Sequence, residues 1–581
     1  MADIAPGLDR LAVAVAAPEV LLTEPDGRLR GDGVQGWYVD DVRLLRRLET
    51  RVSPAGSARA QVGHTLSPDG LVTTVEVIAD RPVTVDLEIT LAVDLAPVAV
   101  VRQQQSTEDA ASLPTTEGLS WTGEASGCAL SCTPAPASYE RLGWRFDVSP
   151  DAPARVDLRF AARGDPQFAP GGPPPWSTAV PVPVDDPRWT PLVRQGLADL
   201  AGLLLRDGED AFVAAGAPWY LTMFGRDALW TARLMMPFGT GLALSTLRAL
   251  ARRQGVSDDP STEEQPGKIL HEVRSGTVRL GGMVLPPVYY GTVDATPLFV
   301  GTLADAWRAG ADRDEVAALV PAARRCLEWM MSQTRESGWL RYVDSSGHGL
   351  ANQGWKDSVD SVRYADGGIA EPPIALCEVQ GYAYEAAVQG AALLAELGEP
   401  PVEGLAAWAA SLRRRFAEAF WVDTPEGGHV AIALDGRGRP ADAVASNMGH
   451  LLGTGILTPQ QARRVATVLT GPAMSSGYGL RTLALDSPAY DPLSYHCGSV
   501  WPHDTAIAVR GLVAESFRTE AAGLARGLVE ASGVFGARLP ELWSGDPRVP
   551  GEEGPAAYPS ACRPQAWAAA APLACLAALA G

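Results

Sequence analysis

The sequence has little positive charge for its size. Its 581 residues include 48 Lys and Arg against 68 Asp and Glu, which gives a formal charge of −20 at pH 7. Because binding to nucleic acid depends on clustered cations that neutralise phosphates, this balance argues against a nucleic-acid partner. The hydrophobic fraction of 46% and the charged fraction of 20% are typical of a globular chain. Such a length allows about two to four domains.

Long apolar runs are also missing. The sequence contains no apolar run of roughly 18 residues or more, which a membrane span would require. The Ala-rich stretch 566–581 is interrupted by Pro572 and favours a packed helix. Residues 1–9 lack a basic segment followed by an apolar one, so no secretory leader is predicted. These absences predict a cytoplasmic protein without a membrane partner.

The sequence has few cysteines and no recognisable metal or nucleotide motif. Its seven cysteines are scattered, and Cys128 and Cys132 have no second Cys pair or nearby His, so reduced thiols rather than structural zinc are predicted. His496 and His503 lack a nearby third ligand, and no HExxH or HxxEH occurs. GxGxxG, P-loop and GxSxG sequences are absent. The sequence therefore predicts neither a metal nor a cofactor.

The first part of the chain has the pattern of β-strands. Segments 71–78, 83–93 and 154–161 alternate apolar and polar residues, are rich in β-branched side chains and are separated by turn residues. This pattern predicts an N-terminal antiparallel β-sandwich over residues 1–165. The many prolines that follow exclude helix and central strand, so residues 166–187 are predicted to be a linker or strap.

From residue 188 onwards the pattern becomes helical, with apolar residues at i, i+3, i+4 and i+7. Twelve helices in six hairpins, with short and long connections alternating, predict an all-α (α/α)6 toroid over residues 188–581 whose functional loops gather at one end. The predicted helices are 191–206, 228–237, 242–253, 295–309, 314–332, 378–397, 401–420, 447–453, 459–469, 504–513, 516–531 and 564–580.

Tryptophan is unusually frequent, with 16 Trp against 13 Tyr and 11 Phe. Trp408 and Trp421 lie at packing positions, but others lie in or beside the interhelical loops together with acidic residues. Trp rings stack well on the apolar faces of sugars. Hydrolysis of a glycosidic bond needs one carboxylic acid to protonate the leaving oxygen and one carboxylate to activate water or to attack the anomeric carbon. The loops therefore indicate a glycosidase. Their tryptophans are Trp219, Trp230, Trp355, Trp501 and Trp543.

Six ordered segments resemble the bacterial and archaeal glycogen-debranching, amylo-α-1,6-glucosidase-like family. More broadly, the chain is similar to the inverting (α/α)6 glycoside hydrolases, which include glucoamylases, trehalases and the processing α-glucosidases. Segment 36–45 also resembles the signature of the family's N-terminal β-domain. The six segments are PWYLTMFGRDALWTA (218–232), GKILHEVR (267–274), YYGTVDATPLFV (289–300), NQGWKDS (352–358), YHCGSVWPHD (495–504) and RLPELWSG (538–545).

The resemblance implies a single displacement with inversion on a terminal α-linked sugar, α-1,6-linked glucose first among the candidates. Other α-glycosides, including small-molecule glycosides, remain alternatives. Asp357 is the implied general acid and Glu541 the implied general base, with their carboxyl groups roughly 6.5–9.5 Å apart. The neighbouring Lys356 favours an ionised Asp357, so burial or an adjacent acid has to offset it. The implied sugar contacts are Arg226, Asp227, His271, Glu272, Asp294, Trp355, Lys356, His503 and Trp543.

Three other functions stay open at this point. A phosphorylase on the same scaffold needs no protein base, and Glu541 argues against it. A catalytically silent glycan-binding protein would be expected to have lost one of the two carboxylates. An epimerase or lyase could use His271, His496 and His503 as proton carriers.

Overall fold

The computed structural model describes residues 12–15, 22–23, 29–30, 36–39, 42–54, 58–67, 70–97, 100–101, 110–115, 118–122, 127–163, 167–178, 186–280 and 282–580. The chain divides into two compact units, one formed by Met1–Gly172 with Pro218–Leu221 and the other by Pro173–Ala217 with Thr222–Gly581. The boundary after Gly172 lies within the predicted linker 166–187. Segment 1–9, part of the signature 36–45 and part of this linker lie outside the described residues.

Antiparallel sheets form the first unit. Strands β1, β4, β5, β8 and β12 form one sheet in the order β1-β4-β5-β8-β12, and six others form a second sheet in the order β6-β7-β13-β11-β10-β9. The strands are β1 Ala12–Val15, β2 Leu22–Thr23, β3 Leu29–Arg30, β4 Gly36–Val39, β5 Val42–Ser53, β6 Arg59–Ser67, β7 Gly70–Ile78, β8 Val83–Pro97, β9 Leu113–Pro114, β10 Leu119–Thr122, β11 Gly127–Thr133, β12 Leu142–Val148, β13 Ala154–Arg163 and β14 Ala169–Pro170.

The alternating sequence pattern explains why these sheets pack together. In β7, Leu71, Thr73, Val75 and Val77 are buried while the residues between them are partly exposed, as a period of two requires. Leu71, Val75 and Val77 join residues from both sheets in one apolar core, which includes Val85 of β8. The sheets therefore pack face to face around a shared core.

Helices dominate the second unit, in which the described residues form eleven α-helices and one longer 3₁₀ segment. They are α1 Trp189–Gly202, α2 Gly225–Leu234, α3 Gly241–Ala251, α4 Ala295–Arg308, α5 Arg313–Gln333, α6 Cys377–Leu397, α7 Leu405–Ala419, the 3₁₀ segment Ser446–Leu451, α8 Pro459–Thr470, α9 Pro502–Ala514, α10 Arg518–Ser532 and α11 Ala566–Ala580. These twelve elements lie at the twelve predicted positions.

Short strands connect several of these helices. The pairs Leu204–Asp207 with Asp210–Val213 (β15, β16), Glu272–Val273 with Val288–Tyr289 (β17, β20) and Val278–Leu280 with Met283–Leu285 (β18, β19) are antiparallel. Three more ladders join the later connections. They involve β21 Ala375–Leu376, β22 Trp421–Val422, β23 His429–Val430, β24 Ala433–Leu434 and β25 Pro440–Ala441.

Six of the helical elements contact one another in a closed series. α2 contacts α4, α4 contacts α6, α6 contacts the 3₁₀ segment, that segment contacts α9, α9 contacts α11, and α11 contacts α2. The other six, α1, α3, α5, α7, α8 and α10, alternate with them along the chain and pack beside them. Along the chain, each element of the closed series is therefore preceded by one element of the other set.

Burial separates the two sets. All ten residues of α2 are buried, and so are the first eleven of α11, Ala566–Leu576. In α8, by contrast, only Ala462, Val465, Ala466 and Leu469 are buried. That spacing of i, i+3, i+4 and i+7 marks a helix with one face towards solvent. The helices of the closed series therefore form the interior of the unit.

Two further features concern the described chain as a whole. None of its helices is both long and apolar enough to cross a membrane. All seven cysteines are buried thiols and none forms a disulfide.

Candidate active site

Asp357 lies in the connection between α5 and α6. Its side chain is 30% exposed, far more than the other acidic side chains of the site, and it is therefore the carboxylate most open to a ligand. The loop around it is held from both sides. Asn352 donates from Nδ2 to the Ser358 carbonyl at 2.7 Å, and Ser361 donates from Oγ to the Lys356 carbonyl at 2.6 Å. The acid is thus carried by a well-braced loop.

Arg226 joins this loop to two other segments. From the first turn of α2, its Nη1 donates to both carboxylate oxygens of Asp294 at 3.2 and 3.0 Å, and its Nη2 donates to Asp357 Oδ2 at 3.4 Å. Thr292 Oγ1 also donates to Asp294, at 2.7 Å. Asp294 is fully buried, so its oxygens serve Arg226 and Thr292 rather than a ligand. We interpret Asp294 as the residue that orients Arg226.

A close backbone approach explains the glycine that precedes Arg226. A Cβ on Gly225 would lie 2.1 Å from the Leu270 carbonyl oxygen, so only glycine fits there. The Gly225 N–H donates to the His271 carbonyl at 2.8 Å. This contact fixes the start of α2 against the strand that follows His271. The first turn of α2, which carries Arg226 and Asp227, therefore has a fixed position relative to the Leu270–His271 backbone.

Glu541 lies far along the chain, in the connection between α10 and α11. Only 2% of it is exposed. Tyr495 donates from its hydroxyl to Oε1 at 2.5 Å, and the Cys562 N–H donates to Oε2 at 2.9 Å. The Glu541 N–H in turn donates to the Cys562 carbonyl at 2.9 Å. Both carboxylate oxygens therefore accept hydrogen bonds that hold the group in one orientation, as a general base requires.

Asp227 is a buried acid whose pKa depends on the charges of both Asp357 and Glu541. Burial is the largest cause that raises the pKa of Asp227, to about 7, and Arg226 opposes it. The negative charges of Asp357, Asp294 and Glu541 add to the increase, in that order. Asp227 therefore binds a proton close to neutral pH. Its pKa responds to the charges of residues 357 and 541, although both are far from it in sequence.

The raised pKa of Asp227 predicts that replacing this residue increases stability and lowers activity. The folded-state pKa of about 7 lies above the ordinary value of 3.8, so between these values the folded state binds more protons than the unfolded state. Stability from this group is present below about pH 4 and is lost as the pH rises towards 7. We expect Asp227→Asn, which mimics the protonated form, to raise the thermal unfolding midpoint more at pH 8 than at pH 5.

The same substitution is expected to lower kcat/KM by about 10- to 100-fold, the effect of losing one charged hydrogen bond to substrate. Thermal unfolding at both pH values and kinetics on one preparation check both effects. Equal shifts of the unfolding midpoint at pH 5 and pH 8 would show that Asp227 keeps an ordinary pKa.

His271 directly precedes β17, and Glu272 is the first residue of that strand. Burial lowers the pKa of His271 well below its ordinary value, and the cations Arg226, Arg274 and Lys268 add to this, so its ring is neutral. Glu272 is buried and accepts from Arg274 Nε at 2.7 Å. Glu272 is therefore engaged by an arginine in this conformation.

Trp355 belongs to a buried cluster of indoles and imidazoles. His450 stacks on Trp355 with ring centres 5.5 Å apart, and His503 meets it edge-on at 5.0 Å. His503 in turn stacks on Trp567 at 3.7 Å. Trp355 is 3% exposed and His503 is fully buried. Trp355 therefore packs against histidines instead of standing open as a sugar platform.

Trp543 is also fully buried, with its ring centre 5.6 Å from that of Phe535. Its backbone pairs with Val500, which brings the segments around Glu541 and Tyr495 together. In this conformation Trp543 presents no surface to a sugar. Its contribution to the site is to pack behind it and to align these two segments.

Lys356 points away from Asp357. Its Nζ donates to the Thr482 carbonyl at 2.6 Å and lies 5.0 Å from the centre of the Trp355 ring. Burial lowers the pKa of Lys356, while Asp504 and Glu378 oppose that decrease. The cation that contacts the Asp357 carboxylate is thus Arg226 rather than Lys356. Within the described residues, no group of three or more His, Cys, Asp and Glu side chains is placed to hold a metal ion.

A protein-family model matches part of the chain. Residues 299–536 match the mannosylglycerate hydrolase MGH1-like glycoside hydrolase domain. The chain contains a glycoside hydrolase domain. The matched stretch includes Asp357, Trp355 and His503 and ends before Glu541.

Several solved glycosidase structures resemble the chain at low sequence identity. The chain is 16% and 17% identical to two structures of a GH63 mannosylglycerate hydrolase from Thermus thermophilus, one with Tris and one with Tris and D-glycerate. Each match covers 66% of this chain and 99% of the hydrolase chain, with a TM-score of 0.48. A wild-type glycosidase is 16% identical over 68% of this chain and 97% of its own, with a TM-score of 0.46. No curated protein matches.

Proposed function

We propose that this protein hydrolyses a terminal α-glycoside with inversion, with Asp357 as general acid and Glu541 as general base. The observation that carries the proposal is the different environment of these two carboxylates within one electrostatic cluster. Asp357 is partly open to solvent and lies among acidic neighbours, whereas both oxygens of Glu541 accept hydrogen bonds. Two carboxylates in unlike environments are what acid–base division of labour requires.

We also infer that the closed series of helices is the interior of an (α/α)6 toroid. The strict alternation of outer and inner elements along the chain supports this inference, since it is the order that six helical hairpins produce. Asp227, Asp294 and His503 lie at or next to the beginnings of α2, α4 and α9, all of which belong to this series. The candidate site would then lie at the end where those helices begin.

The proposed chemistry follows from the groups around the scissile bond. Asp357 donates its proton to the leaving oxygen as the bond to the anomeric carbon breaks, and Glu541 removes a proton from the water that attacks the opposite face. Arg226 contacts the Asp357 carboxylate at 3.4 Å, and the charges of Asp357 and Glu541 both act on Asp227. Asp227, whose pKa is about 7, supplies hydrogen bonds to sugar hydroxyls in either protonation state.

Two rival functions fit this arrangement less well. A phosphorylase needs cations free to bind phosphate, but the cations described at the site all have protein partners. Arg226 is bound by Asp294, Arg274 by Glu272 and Lys356 by a carbonyl. An epimerase based on His503 would need access to a ring that is fully buried.

The substrate is proposed from two directions. The motif resemblance favours an α-1,6-linked glucosyl branch, whereas the matched family model is described for mannosylglycerate hydrolase and favours a small glycoside of a hydroxy acid. A panel of α-glucosides and α-mannosides, with sugar and with hydroxy-acid aglycones, separates these classes by released monosaccharide. Both kinds of substrate call for the same chemistry.

Proton NMR of the first-formed product tests the mechanism itself. We expect the β-anomer to appear first from an α-glycoside and to mutarotate later. Initial release of the α-anomer would exclude inversion, because it requires a second displacement. Turnover that depends on added phosphate and yields a sugar phosphate would instead establish a phosphorylase.

A further inference from the structure

Tyr495 and His496 are adjacent in the chain and hold opposite sides of the site. The Tyr495 hydroxyl donates to Glu541 Oε1 at 2.5 Å. The His496 ring receives the N–H of Ser358, the residue that directly follows Asp357, with 3.3 Å between Ser358 N and Nδ1. The Ser358 hydroxyl oxygen lies 2.8 Å from the same ring nitrogen. One dipeptide therefore contacts both the base and the loop of the acid.

The segment that carries this dipeptide is itself fixed. Trp501 donates from Nε1 to the Tyr495 carbonyl at 2.8 Å, and Ser499 donates from Oγ to the same oxygen at 2.9 Å. The His496 ring stacks on Trp501, with centres 5.1 Å apart and planes 19° apart. A Cβ on Gly498 would lie 2.3 Å from the Asp491 carbonyl oxygen, so only glycine fits where these two backbone segments approach each other. The segment around the dipeptide is therefore held by its backbone contacts and by the ring of Trp501.

The protonation state of His496 follows from its partner. A backbone N–H only donates, so Nδ1 must accept, and the ring is neutral with its proton on Nε2. A protonated ring would turn a second N–H towards that of Ser358 and lose the contact. The hold on the acid loop therefore requires neutral His496.

We propose that Tyr495 and His496 are a positioning pair that sets the separation between Asp357 and Glu541. This inference rests on the proposed function, since it assigns the pair a role through those two carboxylates. In an inverting enzyme the separation must leave room for one water, and an error of about 1 Å costs about 10²-fold in rate. Neither side chain of the pair need take or give a proton in the reaction.

Substitutions separate the two halves of the pair. Tyr495→Phe removes only the hydroxyl, and we expect kcat to fall by about 10²-fold. The acidic limb of the pH profile of kcat/KM should move up by about one pH unit, because the carboxylate loses a donor that favours its ionised form. The titratable groups that act on Glu541 include Tyr495, through its hydroxyl, and Asp227 of α2, through its charge; the contact from Cys562 is its backbone N–H, which does not titrate.

His496→Phe keeps a ring that stacks on Trp501 but removes the acceptor for Ser358. We expect kcat to fall by about 10²-fold while KM changes far less, and His496→Asn, which restores an acceptor oxygen, to recover part of the loss. Tyr490→Phe is the matched control, because Tyr490 donates to the Gly545 carbonyl at 2.8 Å and not to Glu541. It should retain wild-type kcat and pH profile.

The outcomes distinguish this proposal from the function on which it rests. If the wild type hydrolyses glycosides and Glu541→Gln does not, but Tyr495→Phe and His496→Phe match the wild type in kcat and pH profile, the positioning role is refuted and the function stands. If no glycoside is hydrolysed, both fall. A crystal structure of His496→Phe adds an independent readout, since an unchanged separation of Asp357 from Glu541 also overturns the proposal.

Discussion

Asp357→Asn is expected to reduce kcat/KM by about 10²- to 10⁴-fold on a glycoside with a sugar or alkyl leaving group. It should lose far less on the corresponding 4-nitrophenyl glycoside or glycosyl fluoride. An alkoxide cannot leave without a proton, whereas a nitrophenolate or fluoride needs little help. The asparagine keeps an oxygen that accepts from Arg226 Nη2, so the change removes the proton and leaves the geometry.

The contrast between leaving groups is the decisive measurement for the acid. Asp360→Asn serves as the control, since Asp360 lies in the same loop and its carboxylate is bound by Arg363 at 3.3 Å. This variant should behave as the wild type on both substrates. An equal loss on alkyl and nitrophenyl glycosides in Asp357→Asn would show that Asp357 binds substrate without donating the proton.

Glu541→Gln is expected to reduce kcat by about 10²- to 10⁴-fold on both classes of substrate. Water must be deprotonated whichever group leaves, so activation of the leaving group does not help. An amide also fits poorly between two donors, the Tyr495 hydroxyl and the Cys562 N–H, because its own NH₂ group would face one of them. Circular dichroism and thermal unfolding should establish that the variant is folded.

Rescue by a small anion makes this second test stricter. In Glu541→Ala, azide has room to replace water and should yield a β-glycosyl azide from an α-glycosyl fluoride, as inversion requires. Glu552→Gln, at an exposed position in the same connection, should keep wild-type activity. Full activity of Glu541→Gln would remove Glu541 from the mechanism.

The elements of the helical unit are readable from sequence because their periodicity is local. α1 shows where that reading ends: the predicted helix extends to Arg206, but the helix stops at Gly202 and Leu204–Asp207 pairs with Asp210–Val213. An Asp-Gly turn between apolar runs is a hairpin signal, and Gly208 has a φ of +61°. The segment predicted as helix over 447–453 is a 3₁₀ turn over Ser446–Leu451.

For the site, too, the sequence reveals residues in local motifs but not the contacts between distant segments. Asp357 and Glu541 lie in motifs that the sequence displays, but the cation beside Asp357 is Arg226, which lies 131 residues earlier. No periodicity predicts such a contact, since it depends on how distant helices pack. Sequence position suggests Lys356 instead, and its ammonium turns to Thr482. Tyr495 and His496 lie in a recognised motif, yet nothing in the pattern assigns them their partners.

The contact between α11 and α2 has a consequence for how the chain folds. These helices lie near opposite ends of the helical unit, so their pairing closes a very long loop and raises the contact order of the whole unit. Until α11 docks, the apolar flanks of α2 and α9 that it covers stay in water and are open to non-native association. Refolding from denaturant should therefore be slow and sensitive to protein concentration, with dependence on chaperones during synthesis.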